Sequence, residues 1–380
     1  MPDIAPAPDL CHDAIIIGGG VIGCAIARRL TLEGWNVALL EKAVDILDGA
    51  SKGNSAILHT GFDAPSGSLE QQCVADGYAE YIDIHRRLNL PLDRAGALVI
   101  AWNDAEEAAL PALMDQARAN GVTDIAPLSA AQTRELEPEL AQGVRASFRV
   151  PREYLVDPWS APYAYLMQAV VNGARVVRNC TVTGGTYHGD HWQLETSRGA
   201  VRGRVVINAA GLYGDQVDTM LIGQNTFTIH PRKGQFVVYD KPAAALTRHI
   251  LLPVPTKVTK GIVVCRTIWG NLLVGPTAEE QDARDTATLD PATLDNLRLR
   301  GAEILPALAA HEVTALYAGL RPANEFKDYQ ISAHTDRAYV SVGGIRSTGL
   351  SSALGTARYV HKLCAGLIER APLPAPHWPQ

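Results

Sequence analysis

Six residues and one acid carry the most specific chemistry in this chain. Gly18-Gly19-Gly20-Val21-Ile22-Gly23 places glycines at the first, third and sixth positions, and Glu41 lies roughly 20 residues further on. Gly18 permits a tight strand-to-helix turn, Gly20 lets a pyrophosphate approach the main chain, and Gly23 lets the helix pack close to the strand. Free N–H groups at the positive end of the helix dipole supply the counter-charge. An acid at Glu41 accepts from ribose hydroxyls and repels a 2′-phosphate, which disfavours an NADP-type ligand. Such a turn can also serve packing alone. What separates the two readings is order: strand, turn, helix, second strand, acid.

The elements that must position these residues are legible around them. Ala14–Ile17 reads as a buried parallel strand, the segment through Leu30 as a helix, and Val37–Leu40 as a second strand. Residues 48–55 are small and polar and suit a ligand loop. Ser68, with Gln71 three residues on, caps a helix expected to run to Leu88, and Asn103 or Asp104 caps one that ends at Asn120-Gly121. Asp157-Pro158 is expected to open a further helix, and Asp290-Pro291 another. The segments 226–240, 250–253, 262–268 and 272–274 alternate as an antiparallel sheet should, with Trp269-Gly270-Asn271 as a hairpin turn. Residues 204–211 and 338–352 repeat the opening pattern of buried strand and small-residue turn, and residues 353–367 then read as a helix. A nicotinamide dehydrogenase completes its cofactor site within one contiguous domain. A site assembled from the beginning, middle and end of the chain suits a longer ligand, FAD.

Bulk properties narrow the class. The 380 residues are 47% hydrophobic and 19% charged, which fits a globular protein with a sizeable core. A net charge of −6 gives no electrostatic case for nucleic acid. The six cysteines form no C-x-x-C and no cluster with histidine, so neither a metal site nor a cysteine-ligated iron–sulfur cluster is expected, and reduced thiols in a cytoplasmic protein are. No run reaches the ~18 apolar residues of a spanning helix, and no secretory leader is visible. Peripheral contact with a membrane surface is compatible with this composition.

At this point the sequence resembles the D-amino-acid oxidase superfamily of FAD-dependent oxidoreductases. It is most similar to the branch of FAD-dependent glycerol-3-phosphate dehydrogenase and L-2-hydroxyglutarate dehydrogenase. The carriers are GGGVIG at 18–23, GNSAILHTGF at 53–62, VINAAGLYGD at 206–215, HPRKGQF at 230–236, GNLLVGPTAEE at 270–280, GLRP at 319–322 and GGIRSTGL at 343–350. The resemblance implies an α/β (α+β) fold: an FAD-binding Rossmann-like domain with a parallel sheet, and a discontinuous antiparallel-sheet substrate domain. The expected division is a loose arm at 1–12, an FAD-binding domain from 13–90, 145–218 and 328–370, a cap from 91–144 and 219–327, and a tail at 371–380. It also implies that Ser51, Asn54 and Ser55 touch the pyrophosphate or flavin and that Val182 meets the adenine region. Ala210, Gly211 and Asp215 would flank the nucleotide, and Gly344, Ile345, Gly349 and Leu350 would approach the flavin pyrimidine. The chain departs from the family in Arg266 and Trp269, where relatives more often carry Pro and His or Asp.

The reaction implied is hydride transfer from a carbon bearing a hydroxyl or amine to flavin N5. Arg321, then Arg346, are the candidate clamps for a carboxylate or phosphate, since guanidinium binds such groups bidentately. The alternative for both is a structural ion pair. His59 is the candidate proton acceptor of an alcohol, because an unperturbed imidazole is poised near neutral pH; the alternative is a structural or flavin-contacting histidine. His230, Lys233 and Arg266 are weaker candidates for the substrate. The leading expectation is a dehydrogenase of a small anionic 2-hydroxy acid or hydroxy-phosphate that passes electrons to a quinone or other acceptor. Oxidation of a secondary or N-substituted amino acid is the second, and a flavin-binding subunit of a larger complex the third.

Overall fold

The first strand forms from seven residues, Cys11–Ile17, that show no polar alternation: all but Cys11 are shielded, as a central parallel strand requires. The computed structural model describes residues 10–255 and 261–379. Cys11 and His12, expected in a loose arm, belong to this strand, and His12 Nδ1 lies 2.8 Å from Asn36 Oδ1. Residues 1–9 of that arm lie outside the described residues.

The three look-alike stretches become neighbours. Cys11–Ile17 pairs in parallel with Val37–Leu40 on one side and with Gly199–Asn208 on the other, and Gly199–Asn208 pairs in parallel with Tyr339–Gly343. Their small-residue turns therefore open at the same edge, where ligands of open α/β sheets bind. Helices Val21–Leu32, Leu69–Ile84, Ser160–Val171 and Gly349–Ala365 share a hydrophobic core with this sheet. The last helix begins at Gly349, so some of the expected glycine- and serine-rich turn is its first turn. The helix expected at Asp157-Pro158 begins at Ser160, because the Asp157 carboxylate accepts from Trp159 N (3.0 Å) and holds that stretch as a turn.

The second sheet has nine strands. His230–Tyr239 runs through it, paired along its length with Val313–Ala323, a strand that the local sequence pattern does not reveal. The sheet is antiparallel apart from Ile250–Pro253, which lies parallel to Ala97–Ala101. Ala146–Val150, expected in the FAD-binding half, instead pairs with Ala97–Ala101 and Ala126–Ser129 in this sheet. Residues 371–379 are not a free tail: Leu373 N donates to Leu32 O at 2.8 Å, and Arg87 stacks on Trp378.

A third, small sheet joins the other two. Ile57–Leu58 and Leu92–Asp93 both pair antiparallel with Tyr154–Val156. The loop before it meets the long strand at a bare backbone contact: a Cβ on Gly53 would come within 2.6 Å of Gly319 Cα, and one on Gly319 within 2.8 Å of Gly53 Cα. Tyr317 Oη seals the same seam by donating to Asn54 O at 2.7 Å. Among the described residues no helix is long and apolar enough to cross a membrane.

Candidate active site

A cavity of about 960 Å³ runs from the carboxyl edge of the parallel sheet to the inner face of the nine-stranded sheet, at the upper end of the roughly 300–1,000 Å³ typical of small-molecule sites. One end is lined by Glu41, Lys42, Val182 and Tyr213; the middle by Gly18, Gly20, Ser51, Asn54 and Ser55; the far end by His59, Phe236, Arg321 and residues 344–347, 349 and 350.

The glycine turn, Glu41 and the 48–55 loop lie together toward one end of the cavity. A Cβ on Gly23 would sit 1.9 Å from Gly18 O, so only glycine lets the first helix start this close to its strand. That helix has no side-chain N-cap, and neither does Gly349–Ala365; both first turns line the cavity. Ser68, Asn103, Ser129 and Asp290 cap their helices with side chains, while Ser160–Val171 and Gly214–Ile222 also carry no side-chain cap. The remaining first-turn N–H groups at the positive ends of the Val21–Leu32 and Gly349–Ala365 helix dipoles suit an anion at each. A pyrophosphate and the electron-rich edge of a reduced flavin match that demand. Glu41 is buried, with Oε2 accepting from Gly19 N at 2.6 Å and Oε1 from Ala43 N at 2.8 Å. Ser51 Oγ accepts from Val21 N at 3.0 Å, and Asn54 braces its own loop through Ser51 O and Ala56 N. Ala210 and Gly211 line the cavity, but Asp215 does not. The Asp215 carboxylate is buried against Arg284 (2.5 and 2.9 Å) and accepts from Ile229 N at 2.9 Å. Its role is a structural tie, and sequence alone could not show a partner so distant in the chain.

At the far end the three strand systems converge. Ile57 faces Leu155 and Leu58 faces Tyr154 across the small sheet, so the next residue out, His59, meets Glu153. His59 Nδ1 lies 2.7 Å from Glu153 Oε2, while Glu153 Oε1 accepts from Thr60 N (2.6 Å) and Thr60 Oγ1 (2.7 Å). Glu153 is fully buried; the His59 side chain keeps 19% of its surface and lines the cavity. His59 N donates to Ser351 Oγ at 2.8 Å, which fixes the histidine to the first turn of the last helix. Sequence reasoning misses Glu153; its signal is positional, an acid immediately before the strand that pairs with the His59 segment.

Arg321 sits opposite Arg232 in the paired long strands. Like charges directly across a sheet repel, and Arg232 is neutralised by Glu280 through Nε at 2.6 Å. Arg321 is not: its Nη2 donates to the Thr277 carbonyl at 3.0 Å, and no carboxylate lies within 4 Å of it among the described residues. Burial, then the charge of Arg232, push its guanidinium down to about 10, with Glu280 opposing. The structural ion pair considered for Arg321 is therefore absent among the described residues. Arg346 also lines the cavity, but its Nη2 donates to Lys327 O at 2.5 Å. The weaker candidates lie elsewhere. Arg266 pairs with Asp93 at 3.0 Å, Lys233 with Glu279 at 3.1 Å, and neither lines the cavity. His230 is exposed and borders a separate, shallower depression. Among the described residues no group of three or more His, Cys, Asp or Glu could hold a metal ion.

The likenesses to known proteins agree with this geometry. The family model described as FAD dependent oxidoreductase (DAO) matches residues 13–363. Glycerol 3-phosphate dehydrogenase of Caloramator mitchellensis is 33% identical over 367 residues, covering 94% of this chain and 75% of that protein. Glycerol 3-phosphate oxidase of Mycoplasma pneumoniae is 30% identical over 376 residues, covering 95% and 96%. The solved structure of dithionite-reduced L-alpha-glycerophosphate oxidase from Mycoplasma pneumoniae, with FAD bound, matches with a TM-score of 0.89 at 27% identity over 97% of both chains. With residues 13–363 accounted for and a cavity shaped for the cofactor, this chain belongs to the DAO family of FAD-dependent oxidoreductases.

Proposed function

We propose that the enzyme oxidises the secondary alcohol of a small hydroxy-phosphate of the glycerol 3-phosphate type to a ketone. The observation that carries this reading is Arg321, a desolvated guanidinium on the cavity wall without a carboxylate partner among the described residues. A buried cation of this kind is costly until an anion reaches it. The names of the relatives favour a phosphate over a carboxylate as that anion.

Bound FAD supplies a hydride acceptor at N5. The chain supplies the rest. Arg321 anchors the anionic end, which fixes the carbinol carbon relative to the cofactor. His59 accepts the hydroxyl proton on Nε2, since Nδ1 is committed to Glu153. The C–H bond gives up a hydride, the O–H bond its proton to His59, and the C–O bond becomes a carbonyl. The uncapped first turn of Gly349–Ala365 offers its N–H groups to negative charge at the far end of the cavity.

Anaerobic mixing of the holoenzyme with a panel tests this: glycerol 3-phosphate, L-2-hydroxyglutarate, uncharged glycerol and an N-alkyl amino acid. Bleaching of the flavin band by glycerol 3-phosphate at micromolar to low-millimolar concentration is expected, with little effect from glycerol. Bleaching by the amino acid alone would sink the alcohol reading. Mixing the reduced enzyme with oxygen or a soluble quinone then ranks the acceptors.

A further inference from the structure

We infer that Glu153 is the positioning residue that makes His59 a base: it holds the imidazole proton on Nδ1, leaves Nε2 bare toward the cavity, and supplies the counter-charge once the substrate proton arrives. This rests on the proposed alcohol oxidation at His59. The hydrogen-bond network favours one tautomer. Thr60 N–H can only donate, so Glu153 Oε1, at 2.6 Å, is an acceptor, and Thr60 Oγ1 adds a second contact at 2.7 Å. Glu153 Oε2 then faces His59 Nδ1 at 2.7 Å with no other partner among the described hydrogen bonds. A proton on Nδ1 satisfies both atoms.

Burial gives this contact its weight. Glu153 has no accessible surface, so its charge acts on the imidazole with little water between them. Two groups beside the pair are already answered. Arg152, the preceding residue, is paired with Asp124 at 2.9 Å, and the Tyr78 hydroxyl, pushed up by burial, stays neutral. As the alcohol proton moves to Nε2, an imidazolium–carboxylate pair forms where a neutral imidazole and a carboxylate stood. Net charge on the pair rises from −1 to zero, so the proton transfer is favoured by the site that receives it. The same logic orients the histidine of hydrolytic triads.

The test uses Glu153→Gln as holoenzyme, reading the rate of anaerobic flavin bleaching by glycerol 3-phosphate across substrate concentration. A rate at least about 10²-fold lower is expected. The loss should fall on kcat. KM for the anion and the flavin content should change little. A wild-type rate, or a loss carried by KM rather than kcat, overturns the proposal. Should the variant fail to fold, ¹⁵N-histidine spectra of the wild-type enzyme, with His59→Gln as the assignment control, decide it. A protonated Nδ1 supports the proposal, and a protonated Nε2 overturns it. If hydroxy substrates never bleach the wild-type flavin, the function falls while the tautomer measurement still reports on Glu153.

Discussion

His59→Ala is expected to lower the rate of flavin reduction by an alcohol about 10²- to 10⁴-fold, with flavin still bound, because the histidine lies beyond the dinucleotide end of the cavity. An amine donor, which needs no strong base once neutral, should lose far less. Arg321→Ala should raise KM for the anionic donor steeply, by at least about 10²-fold, and barely change turnover of an uncharged alcohol at saturation. An unchanged KM for the anion would remove Arg321 from the site. Both residues stand out in the sequence as candidates because each sits in a short motif with its chemistry on display, and both line the cavity. Glu153 does not, since its contact with His59 depends on strand register across 94 residues. Asp215 shows the converse: an acid after a buried strand reads as a nucleotide contact, but Arg284, 69 residues away, claims both of its oxygens.

Between elements, the buried carboxylate of Glu80 cross-links three helices. Its oxygens meet Arg28 and Arg29 of the first helix at 2.6 Å each and Arg358 of the last helix at 3.3 Å. Burial alone would raise this carboxyl, but Arg29 and Arg28 outweigh it and hold it below the ordinary 4.5. A folded-state pKa below the unfolded one gives stability that is complete above the unfolded value and is lost as pH falls through the folded one. Chemical denaturation should therefore show stability falling below pH 4.5, with a weaker fall in Glu80→Gln. That variant should itself lose roughly 3–5 kcal/mol, the usual cost of breaking a buried pair from one side. Elements with strict patterning were readable: the continuous apolar run of the first strand, and the capped helices at Ser68, Asn103 and Asp290. Val313–Ala323 was not. Its outer half is mostly exposed, its inner half mostly buried, and Pro322 interrupts it, so it carries no period of two.

At the scale of the molecule, the inference that beginning, middle and end of the chain meet was legible from their shared grammar, and the parallel register of Cys11–Ile17, Gly199–Asn208 and Tyr339–Gly343 shows the meeting. The extent of the nine-stranded sheet was not, because Ala146–Val150 joins it through partners that local pattern does not reveal. The Gly53–Gly319 contact ties the cofactor loop to the strand that bears Arg321, main chain on main chain. Hinged opening at that line would have to pull one backbone off another with no side chain to act as a bearing. The vessel should accordingly be rigid during turnover, its guest arriving and leaving through the rim, and a chemical cross-link spanning the line should leave kcat unaltered. A Gly319→Ala wedge should instead pry anchor and cofactor apart, showing as a weaker grip on the anion while the yellow colour stays; full activity in that variant would mean the two halves are free to rock.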